Sequence, residues 1–283
     1  MVKLTVLAEN RKNGEFKGEP GLSILVQTND TQFLFDTGNS DLFLKNANLL
    51  RVNLDNCNMV VLSHGHSDHT NGLKHLDTKK YIVFHPSVFK DRWCNRTGNY
   101  SGMPMTYQEL NEAHNLIPTA NPLKLSESAY YLGEIPMVMP HESEGNIATS
   151  LDPELTIPDP TEDDSGVAIK TEKGLFVMTG CGHRGICNTI EHAMNVTGEK
   201  KVYAVLGGFH FRSLKNQKEL IDNAIAYFKQ LKIKHLYLGH CNTDPVIGYM
   251  AEQLPNVQIH RLASGKTFEL QSFANEMAEK TAE

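Results

Sequence analysis

Between His64 and His69 the chain sets three imidazoles and a carboxylate within six residues, as His64, His66, Asp68 and His69 in the run Ser63-His64-Gly65-His66-Ser67-Asp68-His69-Thr70. Neutral imidazole nitrogens and carboxylate oxygens are the ligands that borderline divalent cations such as zinc accept, so the chemistry of this spacing is metal binding. A polar surface loop is the competing reading, and repetition argues against it. Three later apolar runs also end in ligand types: residues 175–180 lead into Cys181 and His183, 202–206 into His210, and 236–238 into His240 and Cys241. One local cluster plus single residues at distant strand ends is how a fold closes donors around a cation.

Those residues need rigid elements behind them. The Val-rich run 59–62 reads as a buried strand with the cluster on the turn at its carboxyl end, and Gly65 is expected to let that turn bend tightly. Asp68 and His69 then fall at the amino end of a short helical pattern. Upstream, residues 4–8, 21–27 and 32–36 read as strands joined by connections short enough to require antiparallel pairing. Residues 81–84 add a strand. In the second half, 167–170 and 175–179 flank the turn Glu172-Lys173-Gly174, and helical patterns at 186–196, 218–231 and 247–253 alternate with strands at 202–206, around Leu236, and at 257–262. Helices packed outside two sheets make this an α/β protein. Across 87–165 the periodicity breaks up, and the segment is read as an irregular insertion that covers the site. There Trp93, Tyr100, Met103, Met105 and Tyr107 offer a stacking wall and Arg92 or Arg96 a contact for an anion; a decoration packing its own aromatics is the alternative. His85 and His141, each beside a proline, are read as outside the ligand set, and the charged tail 274–283 is expected to fray.

The His-x-His-x-Asp-His pattern at His64, His66, Asp68 and His69 resembles the signature of the metallo-β-lactamase superfamily. Phe33-Leu34-Phe35-Asp36-Thr37-Gly38 is similar to that superfamily's strand ending in Asp-x-Gly, whose Asp supports the histidine loop. Thr179-Gly180-Cys181-Gly182-His183-Arg184-Gly185, Leu206-Gly207-Gly208-Phe209-His210 and Gly239-His240-Cys241 resemble one subgroup, which includes an archaeal dihydropterin-linked phosphate synthase. The resemblance implies a four-layer αβ/βα sandwich, two mixed sheets with outer helices, in one domain over 1–283. It implies that His64, His66 and His183 hold one metal and Asp68, His69 and His240 a second, with Asp36 behind them. Where the superfamily usually has an Asp bridging both metals, this chain has Cys181, read as a thiolate ligand. It also suggests that acidic residues of Glu162-Asp163-Asp164 approach the cleft; otherwise they form a solvated turn.

Asp68 and His210 are the catalytic candidates. His210 either completes a metal site or stands off it as a proton donor or substrate contact. Arg184 and Arg212, each close in sequence to a site histidine, are candidates with Trp93 for holding substrate, since guanidinium binds phosphate or carboxylate bidentately.

Composition narrows the function. With 40% hydrophobic residues and no low-complexity linker the chain reads as one unit. A net charge of −6 without a long Lys/Arg cluster argues against a dedicated nucleic-acid surface, and no stretch is apolar for long enough to span a membrane. Residues 1–9 are too short an apolar run for a signal segment, and five cysteines without framework spacing predict a reducing, cytoplasmic setting and no disulfide. The expected function is a metal-dependent hydrolase in which a metal-bound hydroxide attacks a phosphate ester or related small molecule. Zinc leads, ahead of manganese, magnesium or iron, with one or two ions per chain. The alternatives are a metal-dependent transferase acting on a pterin diphosphate-like substrate, as the resemblance implies, and an iron-dependent oxidoreductase or non-catalytic metal or ligand sensor.

Overall fold

Apolar residues occupy both faces of the central strands, as buried sheets require. In the first sheet Ile24, Val26, Phe33, Phe35, Val61 and Val83 point into the core between the sheets, while Leu25, Leu34, Val60, Ile82 and Phe84 point out to a layer of helices. In the second sheet Val167, Ile169, Phe176, Met178 and Leu206 meet that central core, and Val177, Val205, Leu236 and Leu238 face outward. A computed structural model, which describes residues 1–142 and 148–270, thus has four layers, with Phe43 and Ala47 of helix Leu42–Leu49 on one outer face. Helices Ile186–Thr197, Leu214–Leu231 and Asp244–Gln253 cover the other. The tail 274–283 lies outside the described residues.

Among the described residues each of the two large sheets has seven strands. The first runs, edge to edge, Thr267–Leu270, Val2–Ala8, Ser23–Gln27, Gln32–Phe35, Met59–Val61, Tyr81–Phe84, Asn115–Pro118. Its pairings are antiparallel up to Gln32–Phe35 and parallel beyond. In the second, Gly174–Thr179, Val202–Gly207, His235–Leu238 and Gln258–Arg261 are parallel neighbours. Parallel strands deliver their carboxyl ends to one edge of a sheet, where loops of an open α/β sheet gather ligand-binding residues.

The segment 87–165 is more regular than its composition suggests. Helix Tyr107–Ala113 starts on a Thr106–Glu109 capping box, and Asn115–Pro118, Leu123–Lys124 and Ala129–Tyr131 add strands to the two sheets. These strands have two to four residues, too few to display a period, and Pro118 ends one of them. The strand Thr267–Leu270, which pairs with Val2–Ala8, escapes pattern reading because only Leu270 in it is buried. Helices Leu214–Leu231 and Asp244–Gln253 begin earlier than expected because Ser213 caps the first and Pro245 fits the first turn of the second. All five cysteines are free, and among the described residues no helix is long and apolar enough to cross a membrane.

Phe176 has no exposed surface and packs edge-to-face on Tyr237 between the sheets. Phe176→Ala is expected to cost about 3–5 kcal/mol of unfolding free energy. Urea titration followed by circular dichroism measures it.

Candidate metal centre

The Asp36 carboxylate ties both ends of the histidine loop. Asp36 follows strand Gln32–Phe35 in the left-handed region, at φ 57°, with no exposed surface. Its Oδ1 accepts the Ser63 backbone N–H at 2.7 Å, and its Oδ2 accepts the Ser63 hydroxyl at 2.7 Å and lies 2.7 Å from His69 Nδ1. A hydroxyl has one proton, and that of Ser63 goes to Asp36. Its oxygen, 2.8 Å from His64 Nδ1, therefore accepts from that nitrogen. The same reasoning applies to His66. Thr149 gives its proton to Asp159 Oδ2 at 2.9 Å, so it accepts from His66 Nε2, 3.1 Å away. These contacts leave lone pairs on His64 Nε2, His66 Nδ1 and His69 Nε2, all turned inward.

The second sheet supplies the opposing donors from three strand ends. Cys181 and His183 follow Gly174–Thr179, His210 follows Val202–Gly207, and His240 follows His235–Leu238. His210 and His240 sit at φ 55° and 54°, strained values for non-glycine residues that their surroundings must hold. Glu9 accepts the His240 N–H at 2.6 Å, and the Asn10 amide donates to His240 O at 3.0 Å while its oxygen lies 3.2 Å from Nδ1. His240 Nε2 is thereby turned to within 3.0 Å of His69 Nε2, 3.1 Å of Cys181 Sγ and 3.6 Å of Asp68 Oδ2. Asn242 Oδ1 and the Gln217 side chain hold the His210 loop through Phe209 N–H and His210 O.

The donors form several overlapping groups. The ligand atoms of His64, His66 and His183 lie within 4.8 Å of one another, as do those of Asp68, His69 and His240. Among the described residues Cys181 also groups with His64 and His69, with His183 and His210, and with His240 and Cys241. It therefore stands between the two triads. His64 Nε2 and His66 Nδ1 are 2.8 Å apart and His69 Nε2 and His240 Nε2 are 3.0 Å apart. Acceptor lone pairs at such distances repel unless a cation lies among them, so the donor set fits divalent metal.

Electrostatics agree. Burial, reinforced by neighbouring imidazoles, lowers His64, His66 and His210 well below 6.5, and burial and His69 lower His240 to about 3. These rings are neutral and free to ligate. Burial also opposes charge on His69, yet the Asp68 and Asp36 carboxylates outweigh it and raise this ring to about 9. Without metal, a proton is the cation held there.

Behind the loop lies a buried ion cluster that the sequence does not announce. Arg92, wholly buried, donates from Nε to Asp159 at 2.7 Å and from Nη2 to Asp163 at 2.6 Å. Asp163 in turn accepts the Gly65 N–H at 2.7 Å. Arg92 is thus a brace of the histidine loop and not an anion contact. Gly65 has no positive φ; a Cβ there would lie 2.2 Å from Val88 O, so close packing demands the glycine. Asp163 and Asp164 are buried and do not form a solvated turn, and Asp164 Oδ2 accepts the Arg184 N–H at 2.9 Å.

A cavity of about 680 Å3 opens over the donors, its walls including His66, Asp68, Cys181, His183, His210, Arg96 and Arg212. Arg212 Nη2 donates to His210 Nε2 at 2.8 Å, which leaves the His210 proton on Nδ1. Arg184 is turned elsewhere, with its Nε donating to Ile135 O at 2.9 Å and its Nη2 3.6 Å from Glu134. Trp93 pairs with Ser150 and packs edge-on against Tyr100, while its neighbours Cys94, Asn95 and Arg96 reach the cavity wall. Tyr100, Met103, Met105 and Tyr107 line a separate cavity that shares Ser67 with this one. The residues that sequence reasoning missed are Glu9, Asn10, Thr149 and Asp159. Only Glu9 leaves a signal, an acid placed directly at the end of an apolar strand.

Comparison with known proteins bears on this geometry. The metallo-beta-lactamase superfamily model matches residues 17–191. The chain is 30% identical over 277 residues to a 7,8-dihydropterin-6-methyl-4-(beta-D-ribofuranosyl)-aminobenzene-5'-phosphate synthase of Methanocaldococcus jannaschii, covering 89% of this chain and 90% of that protein. It superposes on the crystal structure of a metal-dependent hydrolase of the beta-lactamase superfamily with a TM-score of 0.82 and 25% identity, over 96% of this chain and 100% of the other. A diphosphatase from the PhnP family shares the fold, with a TM-score of 0.52 and 15% identity over 96% and 98% of the two chains.

Two predictions follow from the brace and the acids. Arg92→Ala strands two buried carboxylates and is expected to cost about 3–5 kcal/mol of stability, whereas Arg96→Ala, at an exposed position, leaves the thermal midpoint unchanged. Differential scanning calorimetry separates them. Burial and the charge of Asp163, opposed by the Arg184 N–H, push the Asp164 carboxyl up from 3.8 to about 8. Folded protein then binds a proton that unfolded protein releases, so stability falls as pH rises through this window. In metal-free protein, Asp164→Asn should gain on wild type between pH 3.8 and about 8 and keep a constant lead above it. Parallel stability curves would contradict the assignment.

Proposed function

The chain belongs to the metallo-β-lactamase superfamily, and from that premise we propose that it is a metal-dependent hydrolase of a small phosphate ester. One observation carries the reading. His66 and His183 of one donor triad and Asp68 of the other line one cavity whose wall also includes Arg96 and Arg212. A cation site beside guanidinium groups suits a substrate with a phosphate, which guanidinium binds in a planar, bidentate manner.

His64, His66 and His183 would hold one ion and Asp68, His69 and His240 the other, with Cys181 between them. Zinc suits a set of imidazoles with a thiolate better than manganese or magnesium does. When bound, such ions activate water and polarise a phosphoryl oxygen. The protein's own groups do the rest. Asp36 and Ser63 fix which nitrogens of His69 and His64 face inward. Asp68, whose side chain is 36% exposed, is the carboxylate that can take a proton from the attacking water. His210 Nε2 already accepts from Arg212, so this pair reads as an anion clamp more readily than as a proton donor to the leaving oxygen.

A second reading has support of its own, because the archaeal relative is named as a synthase. The same site would then transfer a group to an acceptor other than water. Turnover in 18O-labelled water separates the two: label in the released phosphate or alcohol favours hydrolysis, and its absence, with a new bond to the acceptor, favours transfer.

Chelation is expected to abolish cleavage of a generic phosphodiester and zinc to restore it, while His66→Ala and Asp68→Ala lose both bound metal and turnover. Asp36→Asn should weaken metal binding about 10–100-fold with the fold intact. Full activity in chelated protein would end the proposal.

A further inference from the structure

Cys241 follows His240 on the same strand end and is buried, and it has no part in the two triads. Three observations bring it into the metal centre. Its sulfur lies with Cys181 Sγ and a His240 ring nitrogen in a group whose ligand atoms are all within 4.8 Å of one another. It accepts the backbone N–H of His210 at 3.2 Å, the kind of contact that steadies a thiolate. Facing it is Gly208, where a Cβ would lie 2.3 Å from the sulfur, so the absence of a side chain at 208 is what leaves room for Sγ.

We propose that Cys241 is a second thiolate of the metal centre, closing one ion position from behind together with Cys181 and His240. The inference rests on the metal-centre reading and deepens it. Cys181 lines the cavity and Cys241 does not, so the added ligand sits on the side away from substrate and leaves the open face free. Two thiolates added beside His240, His69 and Asp68 make this position softer than the first. It selects zinc or cadmium and rejects magnesium, calcium and manganese, which prefer oxygen. The competing role is a positioning one, in which the sulfur only accepts the His210 N–H and keeps that loop in its left-handed conformation.

Cobalt(II) loaded into the chelated full-length protein distinguishes the two. Cobalt reports thiolate ligation through a near-ultraviolet charge-transfer band and overall binding through its visible d–d bands. The proposal expects Cys181→Ser and Cys241→Ser each to keep about half of the wild-type charge-transfer intensity, and the double variant to lose it while still binding cobalt through histidine. Zinc affinity, measured by competition with a chromophoric chelator, should fall about tenfold or more in Cys241→Ser. Serine still offers an oxygen to the His210 N–H, so a positioning role is rescued by Cys241→Ser and lost in Cys241→Ala, whereas a ligand role is lost in both. A wild-type charge-transfer band and zinc affinity in Cys241→Ser would overturn the proposal and leave the metal centre standing. Absence of any cobalt binding by wild-type protein would overturn both.

Discussion

A buried carboxylate must spend its charge on hydrogen bonds or its burial is prohibitive, and Asp36 satisfies that demand with the backbone and hydroxyl of Ser63 and the ring of His69. The histidine loop takes its shape from this constraint. Because Asp36 claims the single Ser63 proton, the hydroxyl can only accept from His64, and the inward nitrogen of that ring follows. Asp159 does the same for His66 through Thr149. Protons are thus fixed on the outer nitrogens by acids one residue removed, and the lone pairs are left to converge.

The two sheets share the work. Acids from three separate places anchor the site: Asp36 at the end of Gln32–Phe35, Glu9 just beyond Val2–Ala8, and Asp163 before Gly166–Thr171. Each accepts backbone N–H groups of the loops that carry the donors, Ser63 for the first, His240 for the second and Gly65 for the third. Arg92 balances the third acid and ties it to Asp159. Left-handed conformations at Asp36 and His240 are held by these contacts, and that at His210 by Asn242 and Gln217, which suits a site whose donors must keep position before any ion arrives.

What the sequence disclosed follows the range of the contacts. Four donors within six residues are a local fact, and so is the alternation that puts Phe33 and Phe35 inward and Leu34 outward. Cys181, His183, His210 and His240 were legible because each ends an apolar run, and parallel strands gather such ends. The supporting acids were not, since Glu9 meets His240 across 231 positions and Arg92 meets Asp163 across 71, separations over which periodicity carries no information. Arg184 and Trp93 show a different limit. Nearness in sequence to a site residue does not set the direction of a long side chain, and both turn to partners outside the cavity. The short strands between 115 and 131 failed for want of length.

Anomalous diffraction at the zinc edge, from crystals grown with zinc, tests the central claim most directly. The account predicts two peaks per chain, one enclosed by His64, His66 and His183 and one by Asp68, His69 and His240, with Cys181 between them. Zinc bound only outside this cluster, with these imidazoles packed as they are here, would contradict it.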